Sequence, residues 1–107
     1  MVVVIMNLKA HPEKRLELKQ TLLALIESTR KAKGCLSHNI YQDIESENSL
    51  SLIETWESRT DLDDHLRSDE FKILLGTKSL LNIPPEIMIN TVSHSSGWEA
   101  VNAARCE

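Results

Sequence analysis

The sequence predicts an α+β protein with the ferredoxin-like order of elements, βαββαβ. Four segments show the alternating apolar pattern of strands, and the segments between them show the three-to-four-residue spacing of helices. The order of these segments matches the split βαβ unit. A chain of 107 residues is long enough for one such domain, so a single core is expected.

The first strand is predicted over residues 2–10, and both of its faces are apolar. One face carries Val3 and Ile5, and the other carries Val2, Val4, Met6 and Leu8. Strands with this pattern are usually covered on both sides of the sheet. We therefore expect the helices to cover one face and a further apolar surface to cover the other.

A helix is predicted to open at Pro12 and Glu13 and to end at Lys33, with Gly34 as its cap. Its inward stripe is expected to be Leu18, Leu22, Leu25 and Ile26. The basic residues in its last turn complement the helix dipole. This interaction is enough to explain why basic residues occur there.

Two strands follow, at residues 35–45 and Ser49–Glu57, with a polar hairpin turn at Glu45–Ser49. One face of the earlier strand carries Leu36, His38, Ile40, Gln42 and Ile44. One face of the later strand carries Leu50, Leu52, Glu54 and Trp56. A carboxylate and an indole therefore stand where leucines would make a simpler core.

Two short helical segments and a fourth strand complete the unit. Ser58 with Asp61 is a capping-box pattern, and Ser68 is a candidate cap for the next helical turn. The residues expected to face inward are Leu62, His65, Leu66, Phe71, Leu74 and Leu75. A proline pair ends the helical region, and residues 86–93 are predicted to form the fourth strand.

The domain is thus predicted to span residues 1–93, with a tail at residues 94–107. The SHSSG stretch has the composition of a linker, and WEAVNAARCE is compatible with a short helix. We expect this helix, which carries Trp98 and Val101, to lie at a dimer interface.

A two-fold dimer is predicted from the sheet itself. In an isolated ferredoxin-like domain the helices cover one face of the sheet and water meets the other. Here residues of both faces are apolar in the first strand and again in the fourth, at Ile87, Met88, Ile89 and Val92. The face without helices is therefore expected to bind the sheet of a second copy.

Composition excludes several classes of partner. The net charge is −4 and the lysines and arginines form no stripe, which argues against nucleic acid. The apolar start of the chain is too short for a signal peptide or a membrane span. Cys35, Cys106 and the 4 histidines have no ligand spacing, so we expect no metal site and a cytoplasmic protein.

Glu54, Trp56 and His65 are predicted to surround one space between sheet and helix. A buried carboxylate is costly unless it is hydrogen-bonded, and burial raises its pKa. Glu54 and His65 are therefore either a structural pair or a general base with its orienting partner. His65 is the better base, because an imidazole pKa of about 6.5 lies near working pH. Trp56 would form an apolar wall against a flat substrate.

Two further residues have open alternatives. His38 either faces the same pocket or is a hydrogen-bonded core residue. Asn7 interrupts an apolar strand face, where it either touches a ligand or satisfies a bulge.

The segments GC at 34–35, ETWES at 54–58, DHL at 64–66 and SDEF at 68–71 resemble the antibiotic biosynthesis monooxygenase (ABM) domain. The similarity spans roughly residues 2–93. It implies a ferredoxin-like protomer, a dimeric α/β barrel and a pocket between sheet and helices in each protomer. Members of this family oxidise phenols or quinols with molecular oxygen and without metal or flavin, degrade haem, or isomerise small metabolites.

The resemblance also bears on individual residues. Asn7 and Trp56 match residues of the haem-degrading branch, but Leu75 stands where its axial histidine would be, and leucine cannot bind iron. Leu52 and Leu62 stand where the phenol-oxidising branch has asparagine and tyrosine. Together with Phe71, they predict an apolar pocket for a quinol or another flat substrate.

The resulting prediction is a dimeric, cofactor-independent monooxygenase that acts on an electron-rich aromatic compound. His65 and Glu54 are the predicted catalytic residues, and the predicted substrate-binding residues are Asn7, His38, Leu52, Trp56, Leu62 and Phe71. The alternative is a non-catalytic module of the same fold that binds a small hydrophobic or aromatic ligand.

Overall fold

Four antiparallel strands form a single sheet in the computed structural model, which describes residues 1–106. The strands are β1 (Val2–Lys9), β2 (Cys35–Asp43), β3 (Ser46–Trp56) and β4 (Glu86–Thr91). They lie side by side in the order β2–β3–β1–β4. One helical connection joins β1 to β2 and another joins β3 to β4, so the ferredoxin-like fold predicted from the sequence is confirmed.

The helices are α1 (Arg15–Arg30), α2 (Arg59–Leu66), α3 (Asp69–Gly76) and α4 (Trp98–Arg105). Short 3₁₀ turns at Pro12–Lys14 and Thr77–Leu80 precede α1 and follow α3. Both predicted caps are present: the Ser58 hydroxyl accepts the Asp61 N–H, and the Ser68 hydroxyl accepts the Phe71 N–H, each at 3.2 Å. These bonds satisfy amides that the first helical turn leaves without partners.

Some boundaries differ from the prediction. Helix α1 ends at Arg30, and residues 31–34 form a turn that closes at Gly34 with φ +82°. Strand β3 begins at Ser46 because the polar residues after the hairpin turn pair through backbone hydrogen bonds, which do not require apolar side chains.

The prediction that Leu75 faces inward is wrong. The buried positions at this end of the chain are Phe71, Leu74 and Thr77, at the three-residue spacing that suits the 3₁₀ turn into which α3 runs. Leu75 is consequently exposed.

The core lies on the face of the sheet that the helices cover. Its larger part joins α1 and α3 to β1 and β3 and contains Met6, Leu8, Ala10, Leu18, Leu22, Leu50, Leu52, Phe71, Leu74 and Leu81. A smaller part contains Val2, Val4, Trp56 and Leu62, beneath α2. The half-buried Leu66 packs against both parts.

The opposite face of the sheet carries Val3, Ile5 and Asn7 of β1. Ile5 pairs with Ile53 of β3 on one side and with Met88 of β4 on the other, which forms an apolar strip across the sheet. The apolar second face of β1 is thus present, while the dimeric barrel built on it stays a prediction.

The tail contains the predicted helix, now α4. Trp98 is 78% exposed and Val101 is 43% exposed. Its place at a dimer interface stays a prediction.

Gly34 occupies the turn at which α1, β3 and α2 meet. Its carbonyl accepts the Glu57 N–H at 2.8 Å, which attaches the turn to the end of β3. The Asp61 side chain packs so closely against it that a Cβ atom at this position would overlap the Asp61 carboxylate. Both the positive φ and the lack of space therefore require glycine here.

We expect Gly34→Ala to lower the free energy of unfolding by about 1–3 kcal/mol, because the left-handed conformation and the overlap with Asp61 both act against a side chain. Urea unfolding measures the change. Gly76→Ala is the matched control, because Gly76 has φ −65° and no atom lies within 4 Å of a Cβ placed there. A Gly34→Ala protein as stable as this control would contradict the interpretation.

Candidate functional site

Three buried titratable side chains meet beneath α2. His38 and Glu54 are direct partners in the pairing of β2 with β3, so the strand register brings them together. His65 lies on the buried side of α2, which follows β3 after a short connection. Their exposed fractions are 5%, 3% and 6% for His38, Glu54 and His65, so the cluster is shielded from solvent.

The Glu54 carboxyl lies between the two imidazoles and is held by an indole. Trp56 Nε1 donates a hydrogen bond to Glu54 Oε1 at 2.9 Å. The same oxygen is 3.8 Å from His65 Nε2, and Glu54 Oε2 is 3.5 Å from His38 Nε2. Neither imidazole Nε2 atom has a hydrogen-bond partner. Glu54 thus has one strong partner and two near neighbours.

The His65 ring is oriented by aromatic contacts. It stacks on Trp56 with ring centroids 4.7 Å apart and an interplanar angle of 26°. Its centroid is 5.6 Å from that of Phe71, which meets it at an angle of 69°. Aromatic contacts of these two kinds favour fixed geometries. These contacts fix the orientation of the His65 ring without using its Nε2 atom, which forms no hydrogen bond among residues 1–106.

Burial favours the uncharged form of every group in the cluster. It raises the pKa of Glu54, and the hydrogen bond from Trp56 opposes that shift. It lowers the pKa of His65, and the charge of Glu70 opposes that shift. Burial, followed by the charges of His65 and Arg30, lowers the pKa of His38 to about 4.

The short distances between Glu54 and the two imidazoles would suit ion pairs, but the pKa directions point the other way. Neither imidazole has the hydrogen bond that would stabilise a buried charge, so burial outweighs the attraction of the carboxylate. Both histidines are then neutral at pH 7, and each can accept a proton.

A small cavity of about 10 Å³ lies within the cluster. Its lining comprises Leu22, Leu25, Thr29, His38, Leu52, Glu54, His65, Glu70, Phe71 and Leu74. This volume is about what one water molecule needs. We call this space the inner cavity.

A larger cleft of about 250 Å³ lies outside it, between the end of α1 and the junction of α2 with α3. Its lining comprises Ser28, Thr29, Lys31, Ala32, Lys33, Asp61, Asp64, His65, Ser68 and Glu70. We call this space the outer cleft. Thr29, His65 and Glu70 line both spaces, so these three residues form the wall between them.

Five of the residues predicted from the sequence line the inner cavity: His38, Leu52, Glu54, His65 and Phe71. Glu54, Trp56 and His65 contact one another, but only Glu54 and His65 line the inner cavity, so Trp56 does not form the predicted wall there.

The other three predicted residues lie elsewhere. Trp56 and Leu62 are completely buried, and neither lines the inner cavity or the outer cleft. His65 covers one ring face of Trp56. The indole therefore supports the His65 ring without facing either space. Asn7 lies on the opposite face of the sheet, where its side-chain oxygen accepts a hydrogen bond from the Ser51 hydroxyl at 2.8 Å.

Sequence analysis missed Thr29 and Glu70 as residues of the site. Thr29 lies four residues after Leu25 on the same side of α1, a spacing that could have indicated a shared lining. Glu70 lies in the first turn of α3, where an acidic residue complements the helix dipole, so its type does not by itself indicate a site. Its position beside His65 depends on how α3 packs, which no local pattern indicates.

The sequence profile of the antibiotic biosynthesis monooxygenase family matches residues 1–74. This segment includes the whole His38, Glu54 and His65 cluster. The chain belongs to the ABM family. The resemblance found in the motifs of the sequence is therefore confirmed.

Solved structures share the fold of this ABM protein. A conserved protein from Methanosarcina mazei Go1 is 33% identical, with a TM-score of 0.79 over 83% of this chain and 89% of that chain. Rv0793 from Mycobacterium tuberculosis is 28% identical, with a TM-score of 0.83 over 90% of this chain and 98% of that chain.

A curated relative is the uncharacterized protein sll1783 of Synechocystis, which is 32% identical over 95 residues. The match covers 88% of this chain and 65% of that protein. The present chain therefore spans slightly less than two thirds of that relative.

Residues 1–106 contain neither a membrane-spanning helix nor a metal-binding cluster. No helix in this range is long and apolar enough to cross a membrane. No group of three or more His, Cys, Asp or Glu side chains in the same range is arranged to hold a metal ion.

We expect His38 to make the stability of the protein depend on pH. The unfolded imidazole has a pKa of about 6.5 and the folded one about 4, so between these values the unfolded chain binds more protons. Stability should therefore fall as the pH drops from 6.5 to 4, by a total of about 3 kcal/mol from this group.

Urea unfolding at several pH values tests this expectation. His38→Gln should flatten the decline relative to the wild type, because Glu54 titrates in both proteins and its contribution largely cancels. His94→Gln, which removes an exposed imidazole of the tail, is the control and should keep the wild-type slope. Parallel curves for His38→Gln and the wild type would show that burial does not suppress protonation of His38.

Proposed function

We propose that this ABM-family protein is a small monooxygenase that oxidises an electron-rich phenol or quinol with molecular oxygen, without a tightly bound cofactor. The observation that carries the proposal is the position of His65. Its imidazole is buried and neutral, its Nε2 atom has no hydrogen-bond partner, and it lies at the wall between the inner cavity and the outer cleft. Family membership supports the same class of reaction.

His65 is the general base in this proposal. A neutral imidazole accepts the phenolic proton as the substrate becomes an anion. The imidazolium that results lies 3.8 Å from Glu54 Oε1, where a carboxylate would stabilise its charge. Stacking against Trp56 keeps the ring oriented during the transfer. Glu54 and Trp56 are thus positioning residues.

The oxidation then needs no external reductant. The substrate anion passes one electron to oxygen, and the two radicals combine to form a carbon–oxygen bond. The peroxide anion that forms takes the proton from the His65 imidazolium. The hydroperoxide then loses the ring hydrogen at that carbon together with its terminal OH as water, so the O–O bond breaks and a carbonyl remains on the ring. One oxygen atom enters the product and the other leaves in water, so a phenol becomes a quinone and the substrate supplies all four electrons. Shielding from solvent protects the radical pair.

Haem degradation has less support. The position expected for an axial histidine holds Leu75, whose side chain is exposed and cannot bind iron. Asn7, the other residue matched to that branch, lies on the opposite face of the sheet from His65.

Oxygen uptake with a panel of hydroquinones and anthrones tests the activity. His65→Ala should lower turnover by roughly 10²–10⁴, the usual contribution of a general base. His94→Ala is the control and should keep full activity. A His65→Ala protein that melts at a lower temperature but consumes oxygen at the wild-type rate would limit His65 to a structural role. Aromatic ligands that bind without oxygen uptake would favour the non-catalytic binding module.

We also propose that the protein acts as a homodimer through the face of the sheet that the helices leave open. The support is the strip formed by Ile5, Ile53 and Met88, which would otherwise meet water. Helix α4 follows β4 in the chain and leaves Trp98 exposed, which supports a second contact through this helix.

Light scattering at micromolar concentration should give twice the mass of one chain. Ile5→Asp should yield monomers, because it buries a charge in the centre of the strip. Leu16→Asp is the matched control, since Leu16 is exposed on α1, and it should leave the dimer intact. Deletion of residues 95–107 should weaken the dimer. A wild-type protein with the mass of one chain would refute the proposal.

A further inference from the structure

The outer cleft is the space through which a ligand can approach His65. It shares Thr29, His65 and Glu70 with the inner cavity. The inner cavity, at about 10 Å³, is far smaller than the hole on the order of 150 Å³ that holds a benzene ring in a protein core. The outer cleft, at about 250 Å³, is large enough. An aromatic substrate that reaches His65 therefore occupies at least part of the outer cleft.

Some charged side chains of the outer cleft have partners and others do not. On the α2 side, Asp64 accepts a hydrogen bond from Arg67 at 2.7 Å, and Asp61 accepts one from Ser58 at 3.0 Å. On the α1 side, neither Lys31 nor Lys33 forms an ion pair within the described part of the chain. Two ammonium groups are thus available to a ligand.

Two carboxylates of the outer cleft also have no ion pair among residues 1–106. Asp61 packs against Gly34 and accepts a hydrogen bond from the Ser58 hydroxyl, and Glu70 lies deeper. Glu70 stands beside His65 at the inner wall. A negative group on a ligand would be repelled from this wall and attracted to the two lysines at the α1 side. The cleft therefore orients a ligand that is anionic at one end and neutral at the other.

We propose that the outer cleft selects an aromatic acid, with Lys31 and Lys33 binding its carboxylate while its phenolic ring lies against His65. This inference deepens the proposed monooxygenase function, on which the role of the ring at His65 rests. It names the two lysines as specificity-determining residues. It also names the substrate class: a phenol or quinol that carries an acidic side chain.

Equilibrium binding under anaerobic conditions tests the proposal separately from catalysis. Isothermal titration calorimetry would compare 2,5-dihydroxyphenylacetate with methylhydroquinone, which has the same ring and no carboxylate. The wild type should bind the acid roughly three- to thirtyfold more tightly, the range expected from two partly exposed ion pairs. Raising the salt concentration should reduce this preference.

The double variant Lys31→Gln/Lys33→Gln should lose the preference while its affinity for methylhydroquinone stays unchanged. Lys19→Gln/Lys78→Gln removes the same charge elsewhere and is the control. Lys19 lies about 18 Å from Lys31 along the chain direction of α1, so this variant should keep the preference.

The outcomes separate the two proposals. A preference that depends on Lys31 and Lys33, without oxygen uptake, would support the acid subsite and refute the monooxygenase. Oxygen uptake without such a preference, equal affinities in all proteins, or no binding of either compound at millimolar concentration would each overturn the acid subsite.

Discussion

The hydrogen bond from the Trp56 indole to the Glu54 carboxyl is the contact on which the interior of this protein depends. An almost completely buried carboxyl is costly to keep without a donor, and the two histidines beside Glu54 lie beyond hydrogen-bonding distance. The same indole supplies the surface on which His65 stacks, and His65 in turn meets Phe71. One chain of contacts thus links β3 to α2 and α3.

The burial of the two histidines keeps them neutral and also lowers the stability of the protein. The burial that lowers the pKa of His65 also keeps its imidazole neutral and ready to accept a proton. The buried Nε2 atoms of His38 and His65 have no hydrogen-bond partner among residues 1–106, which lowers the stability of the fold. Groups with perturbed pKa values in a shielded space are common at functional sites, and here they lie between the sheet and the helices.

The ABM fold and the access to its pocket depend on different parts of the chain. The sheet and the buried cluster determine which atoms would react in the proposed oxidation. The turn after α1 and the junction of α2 with α3 determine what can reach them, because these segments line the outer cleft. Gly34 connects the two parts, since its turn contacts both the end of β3 and the capping residues of α2.

The sequence alone determined the features that depend on local periodicity. Alternation in β3 placed Glu54 and Trp56 on one face, the helical spacing of Leu62 and His65 directed the imidazole inward, and the Ser58 and Ser68 caps marked two helix starts. These predictions were confirmed because a strand repeats every two residues and a helix about every 3.6, whatever lies around them.

Only the tertiary structure decided how these faces meet. The register of β2 against β3 brought His38 to Glu54, and the choice of which side of β1 the helices cover left Asn7 on the other face. The depth at which α2 and α3 pack enclosed Trp56 behind His65, turned Leu75 outward and brought Glu70 to the wall of the cavity. Register and packing depth result from many weak contacts summed over the whole sheet and core. No single segment of the sequence contains that sum.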